Sequence, residues 1–348
     1  SDIKQTRTHK LQPLGGPMGR RSLLALALSA GSAVGASLIG GHARALLKDR
    51  QSGSVSEFGG GSRSAGVNAA NWTTTATESA ALMGPFRLEL IHRQRIADAG
   101  LGLNEPSGLT LNADGTALYT VSDDTKAIFC MDLHGRVLIS ESFFVDATDL
   151  EGVALSGDGR RLLAVQEETN SVISVDLDGR RELQRRSLAA MANYASIAMH
   201  FPDRPDNKGL EGITVNSRNQ HVFVVKEGRP GLLIELDPEC STILSSRLLT
   251  EANGFSHPKV GPRRLDFSGL SYDSRRDTLW IASDHGQCLF HYDWTRDLVL
   301  QRLDLLLDDG GKSNRVRKAE GIAVDSERGR VYVVSDRDAE LYVFKLHG

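Results

Sequence analysis

Cysteine is scarce in this chain. The 348 residues hold three, Cys130, Cys240 and Cys288, an odd number without any of the paired spacings of a zinc site. They read as small buried apolar side chains, not as a disulfide framework. Aromatic residues make up only 6% of the chain, which argues against a stacking platform for single-stranded nucleic acid. A net charge of −3 gives no basic face for a duplex either, so nucleic acid is not expected as a partner. The G-x-S-x-G elbow, the H-E-x-x-H helix and the Walker loop are all missing. GGGSRSAG, from Gly59, lacks the strand–helix context of a nucleotide fold.

What the chain does have is a repeat. KAEGIAVDSERGRVYVVSDRDAELYVFKL, from Lys318, holds three short runs rich in Val, Ile, Tyr and Phe, separated by polar turns. Such runs read as strands joined by hairpins. The pattern also begins at Glu105 (EPSGLTLN), Leu150 (LEGVALS), Leu210 (LEGITVN) and Phe267 (FSGLSYD), giving five copies. An all-strand period of roughly 40 to 60 residues is the mark of a β-propeller. Four copies carry a fourth run: VLISESFF, ELQRRSL, ILSSRLL and VLQRLDL. For the fifth copy, FRLELIHRQRIA at residues 86–97 is expected to supply that strand and close the ring. The expectation is an all-β, five-bladed propeller over residues 86–348.

The N-terminal residues read differently. Arg20-Arg21 precede a soft apolar run at residues 23–39 and an Ala43-Arg44-Ala45 cleavage pattern. Residues 1–45 are therefore expected to be an export signal of twin-arginine character, with an uncleaved membrane anchor as the alternative. That implies an exported protein, periplasmic or associated with the cell envelope. Residues 46–85, rich in Ser, Gly, Ala and Thr, carry too few large apolar groups to fold and read as a flexible linker.

In a propeller blade the start of the first strand and the end of the second share one mouth of the channel. At the first position stand Ser107, Glu151, Glu211, Ser268 and Glu320, each followed by Gly. At the second stand Asp123, Glu167, Glu227, Asp284 and Asp336. Eight carboxylates would converge there, and like charges brought together push carboxylate pKa values up. A hard cation relieves this: Ca²⁺ accepts six to eight oxygens in flexible geometry. Glu151, Glu211 and Glu320 would be its primary ligands, assisted by Ser107 and Ser268, with the second-strand acids as an outer ring. Alternatively, the acids clasp backbone N–H groups of the next blade, or pair with Lys126, Lys226, Arg229, Arg337 and Lys318. In either case the Gly after each first position lets strands approach closely at the axis.

Three long connections, at residues 189–209, 250–266 and 308–318, gather at that mouth. They carry His200, Arg204, Lys208, His257, Lys259, Arg263, Arg264, Lys312, Arg315 and Arg317. Of these, Lys208, Arg263 and Arg264 are candidates for holding a small anionic ligand. Ordinary solvated loops with local salt bridges would look the same. His285, beside Asp284, is a candidate acid or base.

The openings EPSGLTLN, DLEGVALS, GLEGITVN, FSGLSYD and AEGIAVD, in that order, resemble the SdiA-regulated (YjiK-like) family of exported propellers. The resemblance implies a five-bladed fold, an exported or membrane-tethered location and a calcium ion at the mouth, but no particular enzymatic activity. More distantly the architecture is similar to the gluconolactonase and propeller-phytase groups, a likeness of fold alone. Three readings follow. One is a calcium-binding propeller serving as a binding or scaffold module. Another is a metal-dependent hydrolase of a lactone or phosphoester, with His285 or Glu320 in the chemistry. The last is a purely structural ring whose loops bind another protein.

Overall fold

The computed structural model describes residues 85–202, 208–309 and 312–348. The expected export signal, nearly all of the linker, Arg204 and the Lys312 side chain fall outside the described residues. Strand β1 (Arg87–Arg95) comes first. Blade 1 follows with β2 (Pro106–Leu111), β3 (Ala117–Ser122), β4 (Ala127–Asp132) and β5 (Phe143–Phe144). Blade 2 holds β6 (Leu150–Leu155), β7 (Arg161–Gln166), β8 (Ser171–Asp176) and β9 (Arg181–Ser187). Blade 3 holds β10 (Leu210–Val215), β11 (Val222–Lys226), β12 (Leu232–Leu236) and β13 (Ile243–Leu248). Blade 4 holds β14 (Leu270–Asp273), β15 (Thr278–Ser283), β16 (Cys288–Asp293) and β17 (Leu298–Asp304). After a hairpin of β18 (Leu306–Asp309) and β19 (Lys312–Arg315), blade 5 ends with β20 (Ala319–Asp325), β21 (Arg330–Ser335) and β22 (Glu340–His347). The described residues contain short 3-10 turns and no α-helix.

The ring closes as the sequence implies. Strand β1 pairs antiparallel with β22, from Arg87 opposite His347 to Arg95 opposite Glu340, and becomes the outer strand of blade 5. The side chain of Gln301 in blade 4 holds its entry, accepting from the Phe86 N–H and donating to the Phe86 carbonyl, both at 2.8 Å. One fourth strand departs from expectation. VLISESFF forms no continuous strand: Val137 makes an isolated bridge to Met131, and after a 3-10 turn at Ile139–Glu141 the chain rejoins the ladder at Phe143–Phe144. The Ser142 hydroxyl intercepts the ladder here, accepting the Cys130 N–H at 3.0 Å while donating to the Leu138 carbonyl. Serine side chains compete with the backbone in this way.

Inner strands are apolar on both faces because each blade is sandwiched between two others. On β7, Leu163 and Val165 pack toward blade 3, while Leu162 and Ala164 pack toward blade 1. Five apolar clusters fill the five junctions, including the closing one, where Leu109 and Leu118 meet Tyr332 and Val334. Outer strands face solvent and alternate, as β9 does. All three cysteines are free and buried, their thiols pushed up by burial, Cys130 to about 11 and Cys240 and Cys288 to about 12.

The first strands β2, β6, β10, β14 and β20 touch in sequence around the axis and back to β2. Glycine makes that circle possible. A Cβ on Gly152 would lie 2.6 Å from the Glu211 carbonyl oxygen, and one on Gly212 would lie 2.2 Å from that of Ser268. Gly108, Gly269 and Gly321 abut the next blade's backbone in the same way. A methyl group at any of them would wedge two blades apart.

Candidate functional site: an acid well at the channel mouth

The strand register aims the site residues. In blade 2, Leu150 pairs with Gln166 but Gly152 pairs with Val165, so Glu151 is the unmatched residue of a bulge. Glu211 and Glu320 occupy the same bulge in blades 3 and 5. A bulge bends the strand and re-aims a side chain. Blade 1 places its irregularity one residue later, at Gly108, whose φ of 49° suits glycine.

These side chains meet in a single well of about 320 Å³. It is lined by Ser107, Glu151, Glu211, Ser268 and Glu320, and by Asp123, Glu167, Glu227, Asp284 and Asp336. All ten positions singled out by the repeat thus share one cavity. The well also takes in Lys208, Lys318 and His285, together with two acids the sequence reading passed over, Glu105 and Asp266. Both stand two residues before their blade's serine, the spacing that returns a side chain to the same face of an extended chain.

The family model for SdiA-regulated proteins matches residues 87–345, the whole ring. This chain belongs to the SdiA-regulated family. Among solved structures, the SdiA-regulated chain is similar to a glutaminyl cyclase of Myxococcus xanthus at 13% identity and a TM-score of 0.52. That match covers 76% of this chain and 98% of the cyclase. A propeller domain of Cps50 (Swd1) from Myceliophteria thermophila matches at 12% identity and TM-score 0.42, over 73% of this chain and 99% of that one. A nidogen/laminin complex matches at 14% identity and TM-score 0.40, over 67% and 77% of the two chains. At such identities the cyclase likeness concerns the fold alone.

The acids of the SdiA-regulated well divide by how they are held. Glu167 accepts the Gly209 backbone N–H at 2.9 Å, a clasp onto the next blade. Glu227 is paired with Lys208, and Asp336 with Lys318. Asp266 accepts from the Ser283 hydroxyl at 2.8 Å and the His285 backbone N–H at 3.0 Å, and also holds the His285 ring at Nδ1. The three glutamates of the first strands have far less. Among the described residues Glu151 accepts one hydrogen bond, from Ser107 Oγ at 2.8 Å, and Glu320 has only Lys318 at 3.8 Å. Glu211 receives no hydrogen bond from the described residues. The backbone clasp considered for the ring acids is found at the second-strand acid Glu167, and not at these three among the described residues.

Their electrostatics follow. The well reaches the three carboxylates, so they are half-buried by area, but protein encloses them on every other side. Burial, then Glu151 and Glu320, drive Glu211 far above the usual carboxylate range. Glu320 is driven up by burial and by Asp284, with Lys318 opposing. Glu151 is pushed to about 8, mostly by burial, although the Ser107 hydroxyl pulls the other way. Asp123 rises to about 6 through burial and neighbouring Glu105, and its Oδ1 is a buried acceptor without a donor. Burial works against the charge on Lys208, yet Glu227 keeps its pKa above the ordinary lysine value.

Several other cations named from sequence lie elsewhere. Lys126 pairs with Asp146 at 2.7 Å, and the Lys226 ammonium donates to the Gly228 carbonyl at 2.5 Å. Arg315 pairs with Asp304 at 2.7 Å, and Arg317 with Asp338 at 2.5 Å. Arg229, Arg263 and Arg264 line a different cavity.

Proposed function

We propose that this SdiA-regulated propeller binds a divalent cation, calcium before magnesium, in the acid well. Loaded in this way, the exported protein serves as a binding or scaffold module. Glu211 carries the reading. It sits among acids with no hydrogen bond from the described residues, so either a proton or a cation must offset its charge. Oxygen atoms of Glu167, Glu211 and Glu227 lie within 4.8 Å of one another, close enough to share an ion. Apart from the His285 imidazole, the possible ligands around them are carboxylates and hydroxyls with no sulfur, a set that suits a hard cation. Glu151, Glu211 and Glu320 would be the primary ligands, with Glu167 and Glu227 closing on the ion beside Glu211; Ser107 and Ser268 would assist, and Asp123, Asp284 and Asp336 would form the outer ring.

Thermal unfolding in EDTA and then with increasing Ca²⁺ tests this. A cation that binds only the folded form must raise the Tm with concentration. Glu211→Gln should abolish that rise. A Tm indifferent to Ca²⁺ in the wild type overturns the reading.

A second reading, a metal-dependent hydrolase of a lactone or phosphoester, is favoured by one pair. Asp266 ties His285 through Nδ1, leaving Nε2 free to hold or move a proton at the half-exposed lip. When bound, the cation would supply polarisation of a substrate oxygen. Screening lactones and phosphodiesters with and without Ca²⁺ separates the two readings. Activity that Glu320→Gln and His285→Ala both abolish would establish the hydrolase.

A further inference from the structure

A second cavity, of different chemistry, lies behind one wall of the acid well. Along the chain entering β14, Asp266 and Ser268 line the well, while Leu265 and Phe267, alternating with them, line a cleft. The cleft measures about 740 Å³, within the ~300–1,000 Å³ range of small-molecule sites. Buried Leu249, Phe255, Leu265 and Phe267 make it apolar, with the Phe255 and Phe267 rings edge to face at 5.2 Å. At its lip stand three exposed guanidinium groups, those of Arg229, Arg263 and Arg264, against one carboxylate, Glu251. Among the described residues none of the three arginines makes an ion pair or a side-chain hydrogen bond, whereas Arg315 and Arg317 are both paired.

We propose that this cleft is a binding site for a small amphipathic anion, a molecule with an apolar or aromatic body and one carboxylate, sulfonate or phosphate head. The body would occupy the phenylalanine and leucine floor. The head would meet Arg263 and Arg264, whose planar forks match such anions with paired, charge-assisted hydrogen bonds. The site is separate from the acid well and requires no cation.

Calorimetric titration with 2-naphthoate tests the proposal, with naphthalene-2-carboxamide as an uncharged analogue and inorganic phosphate as a head without a body. 2-Naphthoate should bind, and both analogues should bind at least about tenfold more weakly, since each lacks half of the recognition. The double variant Arg263→Ala/Arg264→Ala, altered only at exposed positions, should lose at least about tenfold in affinity at an unchanged Tm. Ala252→Trp, filling the cleft from its exposed wall, should abolish binding. EDTA and Glu211→Gln should leave binding intact, so failure of the cation reading is distinguishable from failure of this one. No binding of 2-naphthoate at millimolar concentration, equal binding by the double variant, or equal affinity for the carboxamide would overturn the proposal.

Discussion

Ser107 Oγ donates a 2.8 Å hydrogen bond to Glu151 Oε2, joining the first positions of blades 1 and 2. It is the only hydrogen bond from the described residues to the carboxylate groups of Glu151, Glu211 and Glu320, and it opposes the burial that lifts Glu151 to about 8. An acid whose folded pKa exceeds its unfolded value binds more protons folded than unfolded. Stability therefore falls as pH rises through that window. For Glu151 the window runs from its ordinary 4.5 to about 8, and each unit crossed costs about 1.4 kcal/mol. In EDTA, urea unfolding should thus give a lower stability at pH 8 than at pH 5.5. Glu151→Gln should make the dependence shallower, leaving the part due to Glu211 and Glu320. A wild type whose metal-free stability rises over this range would contradict the assignment.

Protons held by Glu151, Glu211 and Glu320 must leave when a cation takes their place. Calcium binding at pH 7 should therefore release on the order of one to three protons. Isothermal titration in buffers of different ionisation enthalpy measures the number directly. Calcium affinity should also rise with pH toward the Glu151 value of about 8. Binding whose heat is independent of buffer would place the ion away from these three acids.

Much of this arrangement was legible in the chain because propeller geometry is repetitive. Five similar openings put a Ser or Glu before Gly at the same register, and the ring carries those positions to one mouth. Asp266 escaped notice because it lies in an irregular approach to β14, where no strand pattern marks which way a side chain faces. Arg263 and Arg264 illustrate the same limit. Their loop follows its own local contacts, such as the Arg264 N–H to the Gly261 carbonyl at 2.8 Å, and delivers them to the cleft. VLISESFF resembles its counterparts in composition, but the 3-10 turn at Ile139–Glu141 and the Ser142 hydroxyl bonds interrupt it.

Adding one methyl group at the axis should be severe, whereas adding one on the loop should not. A Cβ on Gly212 would sit 2.2 Å from the Ser268 carbonyl oxygen and 3.0 Å from the Leu270 nitrogen, backbone that cannot yield as a flexible side chain would. Gly212→Ala should destabilise by about 1–3 kcal/mol or more, the cost of forcing extra volume into packed structure. At Gly261 an added Cβ meets nothing within 4 Å, so Gly261→Ala serves as the control and should change stability by less than about 0.5 kcal/mol. Equal unfolding midpoints for the two variants would argue against a close-packed axis.

The closure of the ring by β1 can be tested at Phe86. Its backbone exchanges two hydrogen bonds with Gln301, and its ring lies 5.5 Å from Trp280 and 5.1 Å from His291. The Arg276 guanidinium covers the same ring at 4.7 Å. Removing the Gln301 amide strands a partly buried N–H and C=O, so Gln301→Ala should cost about 1–3 kcal/mol. Phe86→Ala removes the ring that Trp280 and Arg276 pack against and should cost about 2–4 kcal/mol. Both contacts secure one strand to the ring, so the double variant should fall short of the sum of the singles. Native-state hydrogen exchange locates the effect: opening should appear first along β1 and its partner β22. Loss of protection beginning instead at β10 or β11 would show that the ring opens somewhere other than this seam.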